Sequence, residues 1–187
     1  MVLEYVPDTS TVGDVEFRPY MVEVAWNYCQ LVLASDFHRG MIEQTLAALA
    51  IEIVLKSYNA VVAKNNGEVN ESYVFQVPVG GNVRNRHNLV LLADLLREDL
   101  RSYLIEPQDE EVLRDHQDTF RDSRYYYEPD APIASTDAAM KLAVKLICKT
   151  MYLYQQRGCR DSFVLSFNVN QVFFSYVQRF VTVQGAA

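Results

Sequence analysis

The segment from Gly40 to about Ala63 constrains the fold most, because it is the clearest helical pattern in the chain. Large aliphatic side chains recur along it among small alanines; they are Ile42, Leu46, Leu49, Ile53 and Leu55. This mixture lets two neighbouring helices approach closely. Half of the residues are hydrophobic and only seven are glycine, which fits packed helices better than a turn-rich sandwich or a disordered chain. We therefore expect an all-α protein.

Further patterns predict a bundle of five to six helices in a single domain spanning residues 1–187. The other predicted helices are Tyr20–Asp36 after Pro19, His87–Leu104, Asp109–Tyr126 after Pro107, Ser135–Arg157 with Thr136 and Asp137 as capping candidates, and a final helix from about Asn170. Residues Ser162–Val169 alternate like a strand, so we expect an extended approach to the last helix.

Residues 64–86 interrupt the helical pattern between the second and third predicted helices. NNG at 65–67 and PVGG at 78–81 are turn signals, and SYVFQVPV at 72–79 alternates enough for a short extended segment or a hairpin arm. Long connections in compact domains are usually functional or mobile. We expect an insertion loop or hairpin here.

Several classes of protein are disfavoured by features of the whole chain. No apolar run is long enough for a membrane span, and the first ten residues lack a basic start followed by an apolar stretch, so we expect a cytoplasmic protein without a signal peptide or membrane contact. Cys29, Cys148 and Cys159 have neither CxxC nor Cys/His spacing. They are expected to be buried free thiols, and neither a metal site nor a cofactor is predicted.

Glu52 and Lys56 are the charged pair within the strongest helix. They lie four residues apart in the Glu-before-Lys order that supports an ion pair on one helix face. On an exposed face such a pair contributes a few tenths of a kcal/mol. Their apolar neighbours favour burial instead, where a charge needs a partner. The pair is therefore either a structural polar anchor or part of a binding site.

Three separated segments resemble the HEPN family of prokaryotic helical domains. They are AIEIVLKSYNA at 50–60, HNLVLLADLL at 87–96 and FRDSRYYYE at 120–128. In the second, His87 opens the segment and Asn88 stands where the family often has Asp. The third matches a Phe-x-x-x-Arg-Tyr-x-Tyr-Glu pattern, with Phe120, Arg124, Tyr125, Tyr127 and Glu128 at the matching positions. The resemblance covers about residues 20–157 and implies a HEPN-like helical bundle, commonly a homodimer.

The resemblance also implies polar residues that are candidates for ligand contacts. His87 at a helix start could bond across to Glu52 and set the register of the bundle. Arg124 suits a carboxylate, a phosphate or exposed helix carbonyls, and Tyr125 and Tyr127 offer flat surfaces that carry a hydroxyl. The alternative for these three is an internal acid partner for the arginine and tyrosines that close the bundle. His38 and His116 look surface-like among polar neighbours.

The residue pair that HEPN nucleases use is missing. Those enzymes carry Arg and His about four to six residues apart, and none of the three histidines has an arginine at the required spacing upstream. The usual ribonuclease activity is therefore disfavoured. A composite site of His87 with Arg84, Arg86 or Arg124 stays open, as does one formed across a dimer.

A row of lysines marks the helix predicted at 135–157. Lys141, Lys145 and Lys149 recur every fourth residue and Arg157 continues the row, whereas residues 106–130 hold nine acids and three arginines, a net charge of −6. Four residues slightly overshoot one helical turn, so the lysines form a drifting basic face. This face is a solvated surface, a site for RNA, a nucleotide or another anion, or a contact for the acidic segment of another subunit.

We expect, from these observations together, a noncatalytic binding or regulatory protein, within a prokaryotic defence or toxin–antitoxin system as the resemblance implies. A homodimer or another protein is the expected partner. The alternatives are a divergent metal-independent ribonuclease, with His87 and Arg124 as candidate catalytic residues, and an RNA- or nucleotide-binding module that uses the basic face.

Overall fold

The computed structural model describes residues 4–35, 40–68, 71–79, 85–119 and 137–178. Within these ranges the chain is mostly helical, with one small sheet. The helices are α1 (Pro19–Leu33), α2 (Gly40–Ser57), α3 (Leu89–Asp94), α4 (Glu98–Leu104), α5 (Pro107–Asp115), α6 (Ala138–Gln156), α7 (Ser162–Ser166) and α8 (Val169–Tyr176), and the strands are β1 (Ala60–Lys64) and β2 (Ser72–Phe75). The expected all-α class is confirmed. In the part of the chain that is described, no helix is long and apolar enough to cross a membrane.

Helix α6 lies at the centre of the core, where α1, α2, α4, α5, α7 and α8 pack against it, and α3 packs against α2 and α5. Ala47, Ala48 and Ala50 of α2 are buried, as the close packing expected of small residues requires. The three cysteines are free and buried, as predicted. Burial raises the pKa of each thiol, which keeps it protonated.

The second predicted helix ends earlier than expected, because its last residues form a strand. Helix α2 ends at Ser57, and β1 pairs antiparallel with β2, with Ala60 opposite Phe75 and Val62 opposite Tyr73. Adjacent β-branched valines at 61 and 62 favour a strand over a helix end. The reversal uses two left-handed residues, Asn65 (φ 57°) and Gly67 (φ 74°). The hairpin arm expected at 72–79 is confirmed for Ser72–Phe75.

The helix predicted at His87–Leu104 is divided into α3 and α4. Helix α3 starts two residues after His87, because the Asn88 side chain caps it by accepting the Leu91 N–H at 2.9 Å. Contacts of Arg97, the residue that precedes α4, stabilise the break between the two helices. The guanidinium of Arg97 binds both carboxylate oxygens of Asp99 and also donates to the Asp14 carbonyl at 3.1 Å.

Helix α5 begins at Pro107 rather than Asp109 and ends at Asp115, well before the predicted Tyr126. A capping box starts it: the Glu106 side chain accepts from the backbone of Asp109, and the Asp109 carboxylate accepts the Glu106 N–H at 2.8 Å. Residues 116–118 form a turn. Residues 120–126 lie outside the described ranges.

The segment expected to be extended before the last helix is helical. The Asp161 carboxylate accepts the N–H groups of Phe163 and Val164 at 2.9 and 3.2 Å and so begins α7. This cap outweighs the alternating pattern. The final helix is confirmed and starts at Val169, one residue before the predicted Asn170.

The N-terminal segment, residues 4–18, contacts elements from distant parts of the chain. Tyr5 donates its N–H to Asn170 Oδ1 at 2.7 Å and stacks on Phe173 of α8, with ring centroids 3.7 Å apart. Farther along, the Gly13 N–H binds Asp99 Oδ2 at 2.8 Å. The segment therefore connects α8 with the start of α4.

Arg18 ends this segment and is buried despite its charge. Its guanidinium donates to the Ala60 carbonyl of β1 at 3.0 Å, to Phe17 O at 2.7 Å and to the Glu16 carboxylate, and it lies 5.9 Å from the Tyr73 ring centroid. These contacts satisfy the buried cation and attach the hairpin to the start of α1.

Candidate functional site

The Glu52–Lys56 pair of α2 is the core of the site that the sequence predicts. One helical turn separates the two residues, and Lys56 Nζ lies 2.6 Å from Glu52 Oε1. The Glu52 side chain is only 7% exposed. Lys56 Nζ also lies 5.5 Å from the ring centroid of Phe75 in β2. This is a buried carboxylate with a partner, not a solvated surface pair.

His87 completes the cluster from another element. Its Nδ1 lies 3.1 and 3.2 Å from the two oxygens of Glu52. The predicted contact between His87, which lies just before α3, and Glu52 of α2 is confirmed. Asn85 Oδ1 accepts the His87 N–H at 3.1 Å, and Asn85 Nδ2 reaches Asp118 Oδ1 at 3.2 Å, so the turn that carries the imidazole is itself held.

The geometry determines which hydrogen bonds are possible at His87. An ionised Glu52 carboxylate can only accept, so His87 must donate from Nδ1. In the neutral ring the lone pair is then at Nε2. The His87 side chain is 48% exposed, in contrast to Glu52. A buried acid thus orients a half-exposed imidazole, an arrangement that serves equally to fasten two elements or to orient a proton acceptor.

The lysine row of α6 faces acids of the same chain. Lys145 Nζ lies 2.8 Å from an oxygen of Glu106 and 2.8 Å from an oxygen of Asp109, at the start of α5. Asp109 is buried. The acidic partner comes from the segment that the sequence singles out, but within the chain, so these contacts need no second subunit.

Lys149 is the most deeply placed of the three lysines. Its side chain is 7% exposed, and Nζ lies 2.8 Å from Glu106 Oε1, 2.8 Å from Tyr103 O and 3.3 Å from Leu104 O. The Tyr103 hydroxyl donates back to Lys149 O at 2.8 Å. Lys149 therefore satisfies the last carbonyls of α4 in addition to a carboxylate.

The two lysines lower the pKa of Glu106. Burial by itself raises the pKa, but the hydrogen bonds and charges of Lys145 and Lys149 outweigh it and lower the pKa to about 2.

Lys141 is the one lysine of the row whose side chain is substantially exposed, at 45%, and it pairs with Asp137 at 2.7 Å. The interpretation of the row as a solvated basic face is wrong for Lys145 and Lys149. Asp137, a predicted capping residue, stands at the N-cap position but makes no side-chain cap bond.

Arg157 is exposed, as expected of the basic row, but its guanidinium has partners within the chain. Arg157 donates to the carbonyls of Thr9, at 3.3 Å, and Val12 in the N-terminal segment. His116 is half-buried, with Nδ1 3.3 Å from Thr119 Oγ1, and burial lowers its pKa. His116 is therefore partly buried rather than fully exposed.

Several predicted site residues lie outside the described residues. They are Arg124, Tyr125 and Tyr127, together with Arg84, His38 and the capping candidate Thr136. Their predicted roles stay predictions. Of the candidate ligand-binding residues that are described, Glu52, Lys56 and His87 form one cluster, and Lys145 and Lys149 form another with Glu106.

Sequence reasoning misses the acids and the buried arginine that organise these clusters. Glu106 and Asp109 stand out only as part of an acidic run, although Glu-Pro followed by an acid is a helix-start signal that could have placed them. No local pattern marks Arg18, because its partner Ala60 lies 42 residues away. Among the described residues no group of three or more His, Cys, Asp or Glu side chains is arranged to hold a metal ion.

The chain was compared with known proteins by sequence and by structure. The described chain is mostly helical, with a Glu–His contact and a second cluster in which two largely buried lysines bind Glu106 and Asp109. Neither cluster by itself identifies a family. Comparison with family models, curated proteins and solved structures gives no match.

Proposed function

We propose that this protein is a noncatalytic HEPN-like binding or regulatory protein that forms a homodimer and acts in a prokaryotic defence or toxin–antitoxin system. The family and the biological setting rest on the resemblance of the three sequence segments. The observation that carries the noncatalytic part is the burial of Glu52 between Lys56 and His87. A carboxylate held by two internal partners fastens α2 to the turn before α3, and this structural role is sufficient to explain all three residues.

The lysines of α6 support the same view. A nucleic-acid surface needs exposed cations that can neutralise phosphates. Lys145 and Lys149 instead bind Glu106, Asp109 and the end of α4. This leaves Lys141 as the exposed member of the three, so the module that binds RNA or nucleotides through this face has little support.

A divergent ribonuclease is the second candidate, and one observation favours it. Glu52 orients His87 through Nδ1 while 48% of the imidazole side chain stays exposed, which suits a general base. The test is incubation of the purified protein with single-stranded and structured RNAs, with a metal chelator, across a range of pH. We expect no cleavage. Cleavage that disappears in His87→Ala but persists in His38→Ala, a matched removal of another histidine, would overturn the noncatalytic proposal.

The homodimer has its own test. Sedimentation equilibrium over a wide protein concentration should give a molecular mass of twice the chain, with little dependence on salt, because the acidic and basic partners of α6 are satisfied within the chain. A monomer at every concentration would remove the dimer from the proposal. Dissociation on adding salt would instead indicate that charges join the two copies.

A further inference from the structure

A cavity of about 360 Å³ opens between α1, α7 and α8. It shares no lining residue with the Glu52–His87 cluster or with the lysines of α6. Its volume falls at the lower end of the range for small-molecule sites, which is about 300–1,000 Å³. The side chains that carry the argument are Trp26, Gln30, Phe163, Phe167, Gln171 and Tyr176.

Aromatic rings form one part of the wall, and they meet at steep angles. The Trp26 and Phe167 centroids are 5.3 Å apart at 80°, Phe163 and Phe167 are 5.7 Å apart at 70°, and Trp26 and Tyr176 are 6.4 Å apart at 60°. Edge contacts of this kind leave ring faces that are not covered by a parallel neighbour within the cluster. Trp26 and Phe167 are each only 8% exposed, whereas Phe163 and Tyr176 are partly exposed. These last two rings therefore offer the surfaces on which a flat ligand can stack, as bases do on aromatic side chains.

Neutral polar groups form the rest of the wall. Gln30 and Gln171 are exposed, and each amide has both a donor and an acceptor. Asn168 and Ser166 also line the cavity, but the first caps α8 by accepting the Gln171 N–H at 3.0 Å and the second donates to Phe163 O at 3.1 Å. The two glutamines are thus the side chains that can adapt to a ligand.

The charge of the wall restricts what can bind. None of the described residues that line the cavity is lysine, arginine, histidine, aspartate or glutamate. A phosphate or a carboxylate would lose hydration there without a cation to compensate it. A neutral ring with hydrogen-bonding edges would instead find both stacking surfaces and amides.

We propose that this cavity binds a neutral heteroaromatic compound of the nucleobase or nucleoside class. The ring stacks against the aromatic cluster, and the amides of Gln30 and Gln171 bind its polar edge. A phosphate on the same compound adds nothing to the affinity. The inference does not depend on the noncatalytic role proposed above, because the two sites have no residue in common.

Trp26 makes the experiment direct, because it is the single tryptophan of the chain and lies in the cavity wall. Its fluorescence is followed, with excitation at the red edge of the indole band, while adenine, uracil, adenosine and adenosine monophosphate are added separately. We expect a saturable change with at least one base or nucleoside and equal or weaker binding of the monophosphate. No saturable change with any of the four compounds, checked by calorimetry, would overturn the proposal, as would tighter binding of the monophosphate.

The double variant Gln30→Ala/Gln171→Ala tests the site itself. Removal of each hydrogen bond is expected to weaken binding roughly threefold to tenfold, so the pair should weaken it by about tenfold or more. Gln76→Ala, an exposed glutamine beyond β2 that does not line the cavity, is the matched control and should bind as the wild type does. Both exchanges are at exposed side chains, so folding should be kept, which circular dichroism can verify. Equal affinity in the double variant and the control would place the ligand elsewhere.

Discussion

Replacing Lys149 by methionine tests whether the buried lysine of α6 stabilises the fold. Methionine keeps the length and helix propensity of lysine but removes the ammonium group. Lys141→Met is the matched control, because it makes the same change in the same helix at a side chain that is 45% exposed and pairs only with Asp137 among the described residues. The two replaced lysines therefore differ in how deeply they are buried and in how many polar partners their ammonium groups have.

The size of the effect follows from the hydrogen bonds of Lys149 Nζ. It donates to the carbonyls of Tyr103 and Leu104, at 2.8 and 3.3 Å, and to Glu106 at 2.8 Å. A neutral hydrogen bond contributes about 1 kcal/mol and a charged one about 1.5–3 kcal/mol. Since Lys145 still holds Glu106 and the cost of burying an ammonium disappears, we expect a net destabilisation of about 3 kcal/mol. The exposed pair of Lys141 contributes at most about 0.5 kcal/mol.

Urea unfolding followed by circular dichroism measures both free energies, and the slopes show whether the two variants unfold alike. Thermal scans should agree, with a fall in Tm of roughly 6–12 °C for Lys149→Met and about 1–2 °C or less for Lys141→Met. If Lys149→Met unfolds within about 0.5 kcal/mol of the control, the reasoning from the Lys149 hydrogen bonds is refuted.

Three further substitutions test other parts of the structure. Glu106→Gln should lower the free energy of unfolding by about 1 kcal/mol near pH 7, after allowance for the partial exposure of Glu106. This difference from wild type should shrink as the pH falls from 4.5 towards 2, because a carboxyl whose pKa is lowered on folding stabilises the fold only while it is ionised. A difference in unfolding free energy that stays constant with pH in urea titrations would contradict this. Glu52→Gln should destabilise by about 1–3 kcal/mol by leaving Lys56 without its anion, whereas Glu43→Gln near the start of α2 should cost under about 0.5 kcal/mol in the same assay. Tyr5→Phe should raise the free energy of unfolding by about 1 kcal/mol, because the buried Tyr5 hydroxyl has no partner among the described residues; a decrease in stability would show that the hydroxyl is satisfied.

The predicted helices agree best with the structure where one periodic pattern runs uninterrupted. Helix α6 lies within its predicted range, α1 starts at Pro19, one residue before the predicted Tyr20, and α2 starts at the predicted Gly40. Errors occur where a distant contact decides the local structure. The break between α3 and α4 is held by Arg97, which reaches the Asp14 carbonyl 83 residues away. No window of neighbouring residues contains that information.

The candidate site is predictable in proportion to how local its contacts are. The Glu52–Lys56 pair follows from helical spacing alone. The contact of His87 with Glu52 is expected from the family resemblance and not from spacing, since 35 residues separate the two. The acidic segment is one of the partners considered for Lys145 and Lys149, but as a segment of another subunit. Charge patterning does not distinguish contacts within a chain from those between chains.

The N-terminal segment has a consequence for how the protein folds as it is synthesised. Tyr5 binds Asn170, which follows 165 residues later in the chain. At about 5–20 residues per second, synthesis of that interval takes on the order of ten to thirty seconds. Throughout this time Tyr5 has neither Asn170 nor Phe173 to contact, so residues 4–18 cannot dock on α8 until the later part of the chain has been made. Attachment of the segment should therefore be a late event in folding, which pulse-labelling of nascent chains of increasing length would detect.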